Sequence, residues 1–120
     1  MKHLKEWTQT EFLVHQAELE DQGIKVYLID TILCPVEGHK THTYNPIELK
    51  EAPEGSYFVF YCDTGKTTMD RLDEYSAKFP KQHCISLKGG RAYWRANLKS
   101  ETIHCLLTRK DDYILPEEVN

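Results

Sequence analysis

The residues with the clearest chemical capacity lie in the run Cys62-Asp63-Thr64-Gly65-Lys66-Thr67. A cysteine is a nucleophile as its thiolate, and that anion is favoured by backbone N–H groups at the start of a helix and by a nearby cation. An apolar run, Tyr57-Phe58-Val59-Phe60-Tyr61, precedes Cys62, and a helical pattern follows Gly65. The thiol is therefore expected between a strand end and a helix start, where the N–H groups of residues 63 to 67 can cradle an anion. Gly65 permits the tight curvature of such a loop. The expected site has Cys62 as nucleophile, with Asp63, Thr64, Gly65, Lys66 and Thr67 binding substrate and Lys66 supplying positive charge close to the sulfur.

Other reactive residue types lack such a setting. Cys34, Cys84 and Cys105 are read as packing or incidental thiols, with Cys34 set apart by its place in a loop. Cys34, His39 and His42 are metal-binding types, but His39-x-x-His42 is not a structural zinc spacing and no fourth ligand is evident, so no metal is expected. Gly65-Lys66-Thr67 matches only the end of a nucleotide-binding P-loop, because Phe60 stands where the first glycine belongs.

The elements that must position Cys62 follow from spacing. Thr8-Gln9-Thr10-Glu11 has the form of a capping box; Phe12, His15, Gln16 and Leu19 continue on one helical face, and Gly23 supplies the stop. Ile24 to Ile29 reads as a buried strand ending at Asp30, followed by a loop with Pro35, Gly38 and Pro46. Tyr57 to Tyr61 is apolar at every position, as in the centre of a parallel sheet covered on both sides. Met69, Leu72, Tyr75 and Phe79 then recur at helical spacing until Pro80. His83 to Leu87 is a further strand, Gly89-Gly90 a turn, Ala92-Tyr93-Trp94 the start of another helix, and Ile103 to Leu107 a last strand or helix. This alternation predicts an α/β fold of three layers, a mostly parallel central sheet with helices on both faces, and a site at the carboxyl end of a strand.

The 120 residues suit one domain, and 40% hydrophobic with 28% charged residues is ordinary for a globular chain. A formal charge of -4 without a basic stripe argues against nucleic acid and anionic membranes as partners. The N-terminus lacks the apolar core of a signal peptide, and the four cysteines are widely spaced. Reduced thiols and a cytoplasmic location are expected.

The run from Cys62 to Thr67, a cysteine followed by a short glycine-containing turn into a helix, resembles the active loop of the rhodanese family. Leu87-Lys88-Gly89-Gly90-Arg91-Ala92-Tyr93-Trp94 resembles that family's Leu-x-Gly-Gly-x-x-x-Trp ending, and Leu28-Ile29-Asp30 with Gly38-His39 resemble its earlier landmarks. The likeness runs from about residue 7 to residue 95, leaving the tail from Glu101 without a role. It implies a small rhodanese-like domain acting as a sulfurtransferase: Cys62 takes sulfane sulfur from a donor such as thiosulfate or an organic persulfide, and a nucleophilic acceptor removes it. The implied partners are that small donor and a thiol or cyanide-like acceptor, or a protein acceptor; the loop N–H groups hold the anionic persulfide without any cofactor.

Three departures accompany the likeness. Thr31-Ile32 follows Asp30, where the family commonly has an arginine two residues on, and Lys40-Thr41-His42 replaces a more apolar stretch. Asp63 stands where many thiosulfate-using members have a cation, and its carboxylate opposes a dianion. The alternative these departures favour is a rhodanese-like interaction or sensing domain without useful turnover. Phosphatase chemistry, known among relatives with an arginine closing a longer loop, is disfavoured because Thr68 occupies that place.

Overall fold

The computed structural model describes residues 5–98. Strand β1 (Glu6–Trp7) leads into helix α1 (Gln9–Asp21). The capping box is formed: Thr8 Oγ1 accepts from the Glu11 N–H at 3.1 Å and a Glu11 carboxylate oxygen accepts from the Thr8 N–H at 2.9 Å. Strand β2 (Val26–Asp30) follows, then β3 (His42–Thr43) and the short helix α2 (Pro46–Leu49), both within what reads from sequence as loop. Helix α2 begins on Asn45, whose side chain accepts from the N–H groups of Ile47 and Glu48.

Strand β4 (Tyr57–Tyr61) and strand β5 (His83–Leu87) lie where their composition places them. Between them the expected single helix is two, α3 (Lys66–Asp70) and α4 (Leu72–Lys78), because Arg71 leaves helical geometry at φ -97° and ψ 5°. The inward-facing stripe is Thr68, Leu72, Tyr75 and Phe79, all buried, while Met69 sits half-buried at its edge. After β5 the chain makes one 3₁₀ turn, Arg91–Tyr93, and Trp94 is extended, so no further helix starts there. The tail element expected at Ile103 to Leu107, and Cys105 within it, lie outside the described residues.

The five strands form one all-parallel sheet in the order β1-β5-β4-β2-β3. Alternation along each strand divides the core in two. Val26, Leu28, Val59, Tyr61, Ile85 and Leu87 pack under Phe12, Leu13 and Val14 of α1. Ile29, Phe58 and Phe60 face the other way, against Leu49 of α2 and Leu72, Tyr75 and Phe79. The architecture is thus a three-layer α/β sandwich. Cys62 continues the Phe58-Phe60 alternation at the carboxyl end of β4, on the side of α3 and α4. No helix among the described residues is long and apolar enough to cross a membrane.

Phe60 is fully buried, with its ring stacked on Tyr75 at a centroid separation of 4.1 Å. Phe60→Ala is expected to lower the unfolding free energy by about 3–5 kcal/mol through lost burial and the cavity left behind. Urea denaturation reads this; a change near zero would mean that α4 is not seated on β4.

Candidate active site

Cys62 leaves β4 with only 4% of its surface exposed. The chain then folds back over the sulfur through Gly65, at φ +87°, which aims the Gly65 N–H at Cys62 Sγ, 3.2 Å away. A β-carbon at Gly65 would lie 2.7 Å from the Leu87 carbonyl oxygen and 2.9 Å from the Gly89 nitrogen. Both the handedness and the space therefore require glycine.

The Gly89-Gly90 turn is the other half of this construction. Gly90 holds φ 57° and ψ -151°, and a β-carbon there would run into the Cys62 carbonyl oxygen and the Asp63 carbonyl group. The close approach lets the Arg91 N–H donate to Cys62 O and the Ala92 N–H to Asp63 O, each at 2.8 Å. Two motifs far apart in sequence thus form one backbone unit. Trp94 ties it to the loop after β2 by donating its indole N–H to Glu37 O at 2.8 Å.

That loop has its own anchor in Asp30, a buried carboxylate at the end of β2. One oxygen accepts from the Ile32 N–H at 2.9 Å and the other from the Cys34 N–H at 2.7 Å. Capturing both amides forms a tight turn in which Leu33 holds a left-handed φ of 55°. Asp30 thus uses backbone donors, and among the described residues it forms no ion pair. Tyr61 closes the arrangement by donating to Cys34 O at 2.7 Å; burial, then Asp30, push its hydroxyl above its usual range and keep it a donor.

Behind the sulfur lie two hydroxyls that sequence alone does not single out. Thr68 Oγ1 is 3.6 Å from Cys62 Sγ and 2.7 Å from Ser86 Oγ, and Thr68 and Ser86 have no exposed surface. With Cys62 ionised, Ser86 donates to Thr68 and Thr68 to the sulfur. With Cys62 protonated, Thr68 can turn to Ser86 or the Gly65 carbonyl, the latter 3.4 Å from each hydroxyl. Burial alone pushes the thiol up, but the Thr68 hydroxyl and the backbone N–H groups of Thr68, Gly65 and Thr64 outweigh it and bring Cys62 below its ordinary value. Cys84 shows the opposite balance: burial raises its thiol to about 11, and a hydrogen bond involving Ser76 offsets only part of this.

Above the sulfur is a pocket of about 170 Å³, lined by Cys62, Asp63, Thr64 and Thr67 of the expected loop and by Thr31, Ile32, Arg71 and Tyr75. Lys66 lies elsewhere. Together with Thr64 and Gly65, it lines a groove of about 830 Å³ on the other side of the loop, beside Met69 and Asp70. The helical period explains the separation: positions 66, 69 and 70 share one face of α3, and positions 67 and 71 share another. The cation in the Cys62 pocket is therefore Arg71. Its i+4 relation to Thr67 was visible in the sequence, whereas Ser86 reaches the site through the β4–β5 register, which pairs it with Phe60.

Among the described residues no group of three or more ligand-type side chains could hold a metal ion. His39 uses its ring nitrogens on Lys40 O at 2.7 Å and on the Gln16 side chain at 2.9 Å. Comparison with family models, curated proteins and solved structures gives no match.

A hydrogen bond to a charged group contributes about 1.5–3 kcal/mol, so Thr68→Val is expected to raise the Cys62 thiol by about one to two pH units. Ser86→Ala, acting through Thr68, should raise it less, and Lys66→Ala should leave it in place. The pH profile of Cys62 alkylation by iodoacetamide measures all three. An unmoved Thr68→Val profile would remove the hydroxyl from the thiolate's support.

Proposed function

We propose that this protein is a persulfide-forming sulfurtransferase, similar in its active loop to single-domain rhodaneses and working through Cys62 in the cytoplasm. The observation that carries the reading is a nearly buried Cys62 sulfur that meets the Gly65 N–H and the Thr68 hydroxyl, is lowered toward thiolate by its hydrogen-bond donors, and lines a small pocket of about 170 Å³.

In the first half-reaction the Cys62 thiolate attacks the sulfane sulfur of the donor. A bond forms between the two sulfurs, and the bond from the sulfane sulfur to the rest of the donor breaks. The departing group keeps the electron pair, as sulfite from thiosulfate or as a thiolate from an organic persulfide. In the second half-reaction a nucleophilic acceptor attacks the outer sulfur of the Cys62 persulfide, the sulfur–sulfur bond breaks, and the Cys62 thiolate is restored. Splitting the transfer through a covalent intermediate replaces one difficult step by two easier ones. The N–H groups that support the thiolate also suit the anionic persulfide, and Ser86 with Thr68 supplies a reversible donor to either form.

The test is intact-protein mass spectrometry after incubation with thiosulfate, glutathione persulfide and mercaptopyruvate. One added sulfur, lost in Cys62→Ser and removed by an acceptor thiol, is the expected result. A folded protein whose Cys62 alkylates readily but takes sulfur from no donor would overturn transfer and favour an interaction or sensing domain.

A further inference from the structure

The pocket over Cys62 contains one charge of each sign. Asp63 enters from the start of the loop, directly after the nucleophile, and Arg71 from the end of α3, one helical turn beyond Thr67. Both are solvent-exposed, and among the described residues neither forms an ion pair; the pair that is formed, Lys5 with Asp73 at 3.8 Å, lies elsewhere. The hydroxyls of Thr64 and Thr67, which line the same pocket, make no hydrogen bond within the described residues, leaving neutral partners for a polar ligand.

Size narrows the ligand further. A space of about 170 Å³ equals roughly six water molecules, well below the usual volume of sites for drug-sized ligands. Cys62 is nearly buried whereas Asp63 and Arg71 are exposed, so a donor must place its sulfane sulfur deepest and leave its remaining atoms at the level of those two residues. A thiosulfate dianion gains Arg71 but meets Asp63. A tripeptide persulfide such as that of glutathione brings neutral amides to this level. A free α-amino acid carries an ammonium and a carboxylate on one carbon, a short chain away from its sulfur, and can engage both residues at once.

We propose that the preferred donor is a small zwitterionic amino acid persulfide, cysteine persulfide in chemical class, with Asp63 binding the ammonium and Arg71 the carboxylate. This assignment rests on the sulfur-transfer reading of Cys62. The reaction adds nothing to its balance: the Cys62 thiolate bonds to the outer sulfur, the donor's sulfur–sulfur bond breaks, and cysteine leaves as its thiolate. Because both charges are exposed, each contact is worth a modest factor, about two- to fivefold.

Two analogues each lack one charge at the same chain length: the persulfide of 3-mercaptopropionate has no ammonium, and that of cysteamine no carboxylate. The wild-type protein is expected to take sulfur from cysteine persulfide about two- to fivefold more efficiently, per unit donor concentration, than from either analogue. Asp63→Asn should erase the advantage over 3-mercaptopropionate persulfide and keep that over cysteamine persulfide; Arg71→Gln should do the reverse. Equal ratios in all three proteins would overturn the assignment. A separate measurement distinguishes its failure from failure of sulfur transfer. S-methylcysteine, which has no sulfane sulfur, should in large excess slow iodoacetamide alkylation of Cys62 in the wild type and in neither variant. Loss of transfer from every donor with this protection intact would leave the zwitterion site standing, and absence of protection would overturn it.

Discussion

Strand β4 has a parallel partner on each side and helices over both faces, so residues 58 to 61 are buried. That constraint accounts for its uninterrupted apolar sequence and for much of the surrounding architecture. Phe58 and Phe60 must meet α2 and α4, Val59 and Tyr61 must meet α1, and the next residue in the alternation reaches the strand end on the α3 side. A reactive group there has a rigid support beneath it and a loop above it, so its position is set by packing as well as by the loop itself.

Burial of a thiol ordinarily suppresses its ionisation, and Cys84 on the neighbouring strand follows that rule. Cys62 departs from it because the loop converges hydrogen-bond donors on one sulfur atom. The convergence depends on Gly65 and Gly90 together. Gly65 turns its N–H inward, and Gly90 lets the β5 turn approach closely enough to bond the carbonyls of Cys62 and Asp63. The loop is thereby held from outside, and its donors are oriented before any ligand arrives.

The same economy is visible on the opposite wall. Asp30 spends both carboxylate oxygens on the amides of Ile32 and Cys34, shaping the turn that carries Thr31 and Ile32 to the pocket edge. With the buried carboxylate satisfied by backbone, the turn needs no basic partner. Asp63 and Arg71 are the charged residues among those lining the pocket, and both are exposed.

Local composition was sufficient for α1, whose capping box lies within four consecutive residues, and for β4, whose burial is written at every position. It also marked Cys62 as the thiol at a strand end, and Gly65 as the residue that turns the loop. The weakest local signals belong to β3, with two residues, and α2, with four, both too short for any period to show. Trp94 misled as a helical residue because its aromatic character reflects packing against α1 and a bond to Glu37, not a helical stripe. What only the tertiary structure decided is which groups meet at the sulfur. Ser86 is eighteen residues from Thr68 and reaches it through sheet register. Gly90 acts on a loop to which it is not adjacent in sequence, and Arg71, which carried no expectation, takes the place expected of Lys66 because a helix turns neighbouring residues to different faces. Residue types and short-range periods are properties of a local stretch of chain, whereas distance between side chains is created by strand pairing and layer packing, which couple stretches that carry no local mark of one another.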